Sequence, residues 1–129
     1  MSQKSKYLVA IGIILIAVIV LALIKSQSKP PLVLNEFAQC LANEGAIFYG
    51  AFWCSHCNNQ KSMFGEAQKL LPYVECSTTD KQGQLQICID KSITNYPTWD
   101  FADGSRETGE LSLEKLSEKT GCVIPEPTE

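Results

Sequence analysis

Hydrophobic positions divide the chain into two unlike parts. Residues 7–24 (YLVAIGIILIAVIVLALI) carry neither charge nor proline. As a helix they would extend ~27 Å at ~1.5 Å per residue, against a hydrocarbon core of ~30 Å. A buried helix in a small domain would keep a polar stripe, and this one has none. The pattern predicts one transmembrane anchor over 7–24, after a short cytoplasmic end at 1–6. Lys4, Lys6, Lys25 and Lys29 would reach the two interfaces. A cleaved signal peptide would share the basic start. The stretch LALIKSQSKPP, however, offers no small-residue cleavage site, so a retained anchor is preferred, with the N-terminus inside.

Residues 25–33 hold the polar, proline-bearing SQSKPP and predict a semi-rigid linker. Beyond it the periodicity changes. Leu34, Phe37, Ala38 and Leu41 recur at helical spacing, and Gly45 ends the run. AIFYGAF (46–52) is apolar at nearly every position, the mark of a central strand covered on both faces. WCSHC then leads into a helix whose apolar stripe is Met63, Phe64, Ala67, Leu70 and Leu71, read as ordinary core packing. Pro72 ends it. YVECS reads as a second strand, QLQICIDK (84–91) as a short helix and TWDFA as a third strand. Asp103-Gly104 signals a hairpin, so 105–109 is a fourth strand. Ser112 opens the last helix and Gly121 closes it. The order predicts an α/β fold over 34–122: a four-stranded mixed sheet flanked by helices, with 123–129 as a flexible tail.

Charge sharpens the division. Residues 1–30 carry +4, whereas 31–129 hold all fourteen acidic and seven of the basic residues, a net of −7. An acidic domain argues against nucleic acid as a partner. Six cysteines in so short a domain point to an oxidising compartment. Zinc is disfavoured, because Cys54 and Cys57 lack a second close pair and His56 is the only histidine. No metal and no cofactor is expected.

The chemistry concentrates in Trp53-Cys54-Ser55-His56-Cys57. A cysteine at the junction of a buried strand and a helix start meets free backbone N–H groups and the helix dipole, which favour its thiolate. The second cysteine, one turn on, can resolve a mixed disulfide. A protonated His56 would stabilise the reduced pair and make its disulfide more oxidising. The bland alternatives are a structural disulfide and a solvent-facing histidine.

With Tyr96-Pro97-Thr98 downstream, these residues resemble the thioredoxin superfamily. FYGAFWCSHCNNQKSMFG, YVEC, NYPTW and SLEKLSEKTGC look most like the thioredoxin-like domains associated with bacterial vitamin K epoxide reductase homologues. The resemblance covers roughly residues 35–122. It implies catalytic Cys54 and Cys57, a cis Pro97 facing them, and Trp53 and Tyr96 beside the substrate. It also implies electron exchange between exported cysteine-containing proteins and a membrane quinone-linked thiol oxidoreductase, here a separate chain. One departure stands out. Many members carry a buried carboxylate six residues before the first cysteine, and that position here is Phe48.

Three functions compete. The first is a membrane-anchored enzyme, single-pass in the plasma membrane with its domain on the extracytoplasmic side, that oxidises or isomerises disulfides in exported proteins. The second is a reductase in the same place, fed by a membrane electron donor. The third is a tethered binding module with a structural CxxC. His56 favours the first. The remaining four cysteines allow three connectivities. Cys76–Cys88 and Cys40–Cys122 are expected, the first local, the second joining the first helix to the end of the last in a fold of this kind.

Overall fold

The computed structural model describes residues 3–25 and 33–126. The expected linker falls almost wholly on residues 26–32, and the end of the expected tail on 127–129; both lie outside the described residues. Helix α1 (Gln3–Lys25) contains the long apolar run. The expected transmembrane anchor is corrected here: among the described residues, no helix is long and apolar enough to cross a membrane.

The rest is the α/β arrangement expected of 34–122. Helix α2 (Val33–Asn43) precedes strand β1 (Ile47–Gly50), helix α3 (Ser55–Ser62), a 3₁₀ helix (Gly65–Leu70) and β2 (Tyr73–Glu75). Then come α4 (Gln86–Asp90), β3 (Thr98–Asp100), β4 (Arg106–Thr108) and α5 (Leu113–Thr120). The sheet order is β2-β1-β3-β4. β1 runs parallel to β2 and antiparallel to β3, and β4 is antiparallel to β3. The mixed sheet follows from the connections: a helical crossover joins β1 to β2, while a tight Asp103-Gly104 turn joins β3 to β4. Gly104 takes φ +81° in that turn, a value open to glycine at little cost.

Alternation along β1 gives the sheet two covered faces. Phe48 faces a larger cluster with Phe37, Leu41, Phe64, Trp99 and Leu116. It stacks on its register partner Trp99 with ring centroids 4.7 Å apart. Tyr49 faces a smaller cluster with Cys76, Cys88 and Ile93. The single helical stripe expected over Met63–Leu71 is broken. α3 stops at Ser62, Gly65 turns the chain at φ +52°, and the 3₁₀ helix follows. Phe64, Ala67 and Leu71 are buried, but Met63 and Leu70 are exposed. α5 has the expected ends: the Ser112 hydroxyl accepts from the Lys115 N–H, and Gly121 closes the helix in the left-handed region.

A disulfide belongs to each cluster. Cys40–Cys122 joins α2 to the residue after Gly121, and Cys76–Cys88 joins the end of β2 to α4. Their Cα separations are 5.9 and 5.6 Å, inside the usual range for a bridge. The pairs lie 82 and 12 residues apart in sequence. By loop closure alone they restrict the unfolded chain by ~4.5 and ~3 kcal/mol. Replacing Cys40 and Cys122 together by alanine is therefore expected to lower stability more than replacing Cys76 and Cys88, by ~1–2 kcal/mol. Urea unfolding of the two double variants checks this; equal losses, or the reverse order, would contradict it.

Candidate active site

Cys54 and Cys57 are the two free thiols of the domain. β1 delivers them. Its buried residues carry the chain to Ala51, and Cys54 then takes an extended conformation (φ −76°, ψ 119°) as the residue capping α3. The Asn58 N–H bonds back to the Cys54 carbonyl at 3.1 Å and sets the first turn. Cys54 keeps 8% of its surface exposed and Cys57 none. Cys54 is thus the less buried of the two, at a helix start, and Cys57 is sealed beneath it.

Burial is the main cause that pushes the Cys57 thiol up to about 12, and hydrogen bonding to Cys54 adds to it; the Ala51 backbone and Lys61 act the other way. Gly50 is what lets Cys57 sit so deep. A Cβ on Gly50 would stand 2.8 Å from the Cys57 Sγ and 2.9 Å from Tyr73 Cε2. The Tyr73 hydroxyl in turn donates to Glu75 at 2.7 Å. Burial, then this bond to a carboxylate, raise the phenol above its ordinary range.

The downstream residues close over the pair. The Tyr96–Pro97 bond is cis and Pro97 is buried. The Tyr96 carbonyl lies 3.8 Å from the Cys54 Sγ. Trp53, half exposed, sets its ring edge-on to Tyr96 and donates through Nε1 to the Ser77 hydroxyl at 2.7 Å. The structure thus gathers Trp53, Cys54, Cys57, Tyr96 and Pro97, and holds the other four cysteines in bridges. His56 is exposed, with Nδ1 2.6 Å from Glu110 Oε1. That contact is the first cause holding the Glu110 carboxyl below the usual carboxylate range. Among the described residues no three His, Cys, Asp or Glu side chains group as metal ligands.

Sequence reasoning missed four residues. Gly50 sits inside an apolar strand with no turn to mark it. Glu75 caps the loop at its far side, accepting from the Phe52 and Ser77 N–H groups. Gln60 is fully buried on α3. It donates to the Leu111 carbonyl at 3.0 Å and accepts from the Leu111 N–H at 2.7 Å. Glu110, next to that anchor, also accepts from Asn59 at 3.3 Å. Leu111 and Glu110 lie more than fifty residues from the α3 side chains they meet, and no local spacing announces them. The one available signal was Gln60 itself, a polar residue between the buried Cys57 and Phe64 that must find partners if it is buried.

The elevated Cys57 thiol makes its thiolate scarce near neutral pH. Resolution of a Cys54 mixed disulfide by Cys57 is expected to accelerate about tenfold per pH unit from 7 upward, in proportion to thiolate. Stopped-flow release of a chromophoric thiol from Cys54 checks this. A rate independent of pH between 7 and 10 would contradict a buried, protonated Cys57.

No family model matches the chain. It is similar to the thiol-disulfide oxidoreductase LTO1 of Arabidopsis thaliana, 44% identical over 110 residues, covering 82% of this chain and 28% of that protein. The chain thus spans little more than a quarter of that relative's length. A match of this extent takes in Cys54, Cys57 and Pro97 wherever it begins. The chain is thus similar to part of a named thiol–disulfide oxidoreductase, and its sheet, helices and CxxC have a thioredoxin-like arrangement.

Proposed function

We propose that this chain catalyses thiol–disulfide exchange through Cys54 and Cys57, oxidising or isomerising cysteines of exported proteins outside the cytoplasm. The single observation that carries the proposal is the placement of a free Cys54, 8% exposed, at the start of α3, over a fully buried Cys57 and 3.8 Å from the Tyr96 carbonyl. In the oxidising direction, a client thiolate attacks Cys54 of the Cys54–Cys57 disulfide. That bond breaks, and Cys57 leaves as a thiolate and takes up a proton. The client's second thiolate then attacks its own sulfur in the mixed disulfide and releases the Cys54 thiolate. Two electrons pass from client to enzyme.

The Tyr96 carbonyl lies 3.8 Å from the Cys54 Sγ, where it can accept from the client backbone and align the attack. Trp53 and Tyr96 give the client an aromatic surface beside it. His56 lies on the first turn of α3 between the two cysteines, and its place there supports oxidation over reduction of clients. The two bridged disulfides support an oxidising compartment. The likeness to domains associated with vitamin K epoxide reductase homologues supports a quinone-linked membrane thiol oxidoreductase as the partner that restores the disulfide.

Trapping tests the roles. Cys57→Ala is expected to accumulate a mixed disulfide with scrambled ribonuclease on non-reducing gels, because no neighbouring thiol can resolve it. Cys54→Ala is expected to accumulate none, because Cys57 is sealed. Equal trapping by both variants, or by neither, would sink the assignment.

A further inference from the structure

The segment between β2 and α4 builds a wall that exchange chemistry alone does not require. Residues 77–84 are closed by the Ser77–Gln84 bridge and by Thr78, whose hydroxyl accepts from the Gly83 N–H at 2.9 Å. Just outside this loop, the Cys76–Cys88 disulfide holds its base. Two hydrogen bonds lock it to the redox site. One runs from Trp53 Nε1 to the Ser77 hydroxyl, the other from Gln84 Nε2 to the Tyr96 hydroxyl, each 2.7 Å. Between the wall and the site lies an open cleft of about 450 Å³, lined by Trp53, Lys81, Gln84, Ile93 and Tyr96 among others. It begins at Tyr96, whose carbonyl lies 3.8 Å from the Cys54 Sγ.

Lys81 is the one charged residue lining that cleft. It is exposed, and its ammonium stands 5.6 Å from the ring centroid of Phe52, itself exposed. Among the described residues no carboxylate pairs with it. Neighbouring Asp80 is occupied by the Thr78 hydroxyl and the Gln82 N–H. The Lys81 backbone adopts φ +63°, a conformation that suits glycine or asparagine better than lysine. Backbone geometry therefore does not account for a lysine here. A lone cation in the cleft contrasts with a domain of net charge −7.

We infer that the 77–84 loop is a specificity wall for client polypeptides and that Lys81 selects clients with an acidic side chain close to the reacting cysteine. The inference rests on the oxidoreductase reading above and deepens it. The client's cysteine meets Cys54, its flanking apolar atoms lie along Trp53 and Phe52, and its carboxylate meets the Lys81 ammonium.

The test uses the oxidised full chain and three cysteine peptides that differ only at a position two residues from the cysteine: Glu, Lys or Gln. Stopped-flow rate constants at low salt give a Glu-to-Lys ratio, and comparing that ratio between enzyme variants cancels the peptides' own thiol reactivity. Lys81→Ala is expected to lower the ratio roughly threefold, the scale of one exposed ion pair, and Lys81→Glu roughly tenfold as repulsion replaces attraction. Lys81→Arg should keep it, which separates charge from any disturbance of the loop. In ~1 M salt the variants should converge, since the Debye length falls to ~3 Å. One ratio shared by all variants at low salt, with the Gln peptide reacting normally, would overturn the role of Lys81 and leave the exchange reading standing. A Gln peptide that does not react at all with the unmodified chain would overturn both.

Discussion

The contact between the Cys57 sulfur and the backbone of Gly50 sets the depth of the whole site. Where most residues would place a Cβ, β1 leaves a gap that Cys57 and the edge of Tyr73 fill. Because Cys57 is sealed there, its thiol is pushed toward the protonated form, and Cys54 above it is the less buried of the two sulfurs. The unequal burial of two cysteines three residues apart thus originates in a missing methyl group on the neighbouring strand. A methyl at Gly50 would force α3 away from β1, at the ~1–3 kcal/mol typical of an overpacked core, and would open the sealed thiol to water.

The rest of the domain holds that contact in place. Gln60, two residues before the end of α3, is pinned on both sides by the backbone of Leu111 and touched by Trp99 Nε1 at 3.4 Å. This buried amide fixes the helix against the segment leading into α5, and brings Glu110 to His56. On the other side, Glu75 receives the Phe52 and Ser77 N–H groups, so the loop carrying Trp53 and Cys54 is tied to β2. The bridged cysteines stabilise each face of the sheet and leave a single free pair between them. Scaffold and reactive sulfur are therefore separated by position: two bridges within hydrophobic clusters, one pair at a helix start.

Much of this was legible along the chain, because strands and caps are local. AIFYGAF declared a covered strand, Asp103-Gly104 a hairpin, Ser112 and Gly121 the ends of α5. The CxxC could be placed at a helix start because a covered strand ran straight into it. What escaped was whatever depends on distant partners. The stripe from Met63 to Leu71 mimicked one continuous helix, yet Gly65 breaks it and the 3₁₀ turn repacks Phe64 against Phe37 at 6.1 Å. Gln60 and Glu110 meet only once the sheet has folded. His56 reads as a neighbour of the cysteines, whereas its Nδ1 faces a carboxylate fifty-four residues away. The anchor expected over 7–24 rests on apolar composition alone, and among the described residues no helix is long and apolar enough to cross a membrane.

One pair of sulfurs is free, while the other two pairs are bridged and hold the fold. A redox titration in glutathione buffers, with alkylation and peptide mapping at each potential, tests this most directly. The predicted result is a single two-electron transition, confined to Cys54 and Cys57, above ~−200 mV and toward the ~−120 mV of strong disulfide oxidants. Cys40–Cys122 and Cys76–Cys88 should stay closed throughout that range. A transition near ~−270 mV, where reducing members of this chemistry lie, would contradict the oxidising direction. Opening of Cys76–Cys88 or Cys40–Cys122 together with Cys54–Cys57 would contradict the separation of scaffold from site.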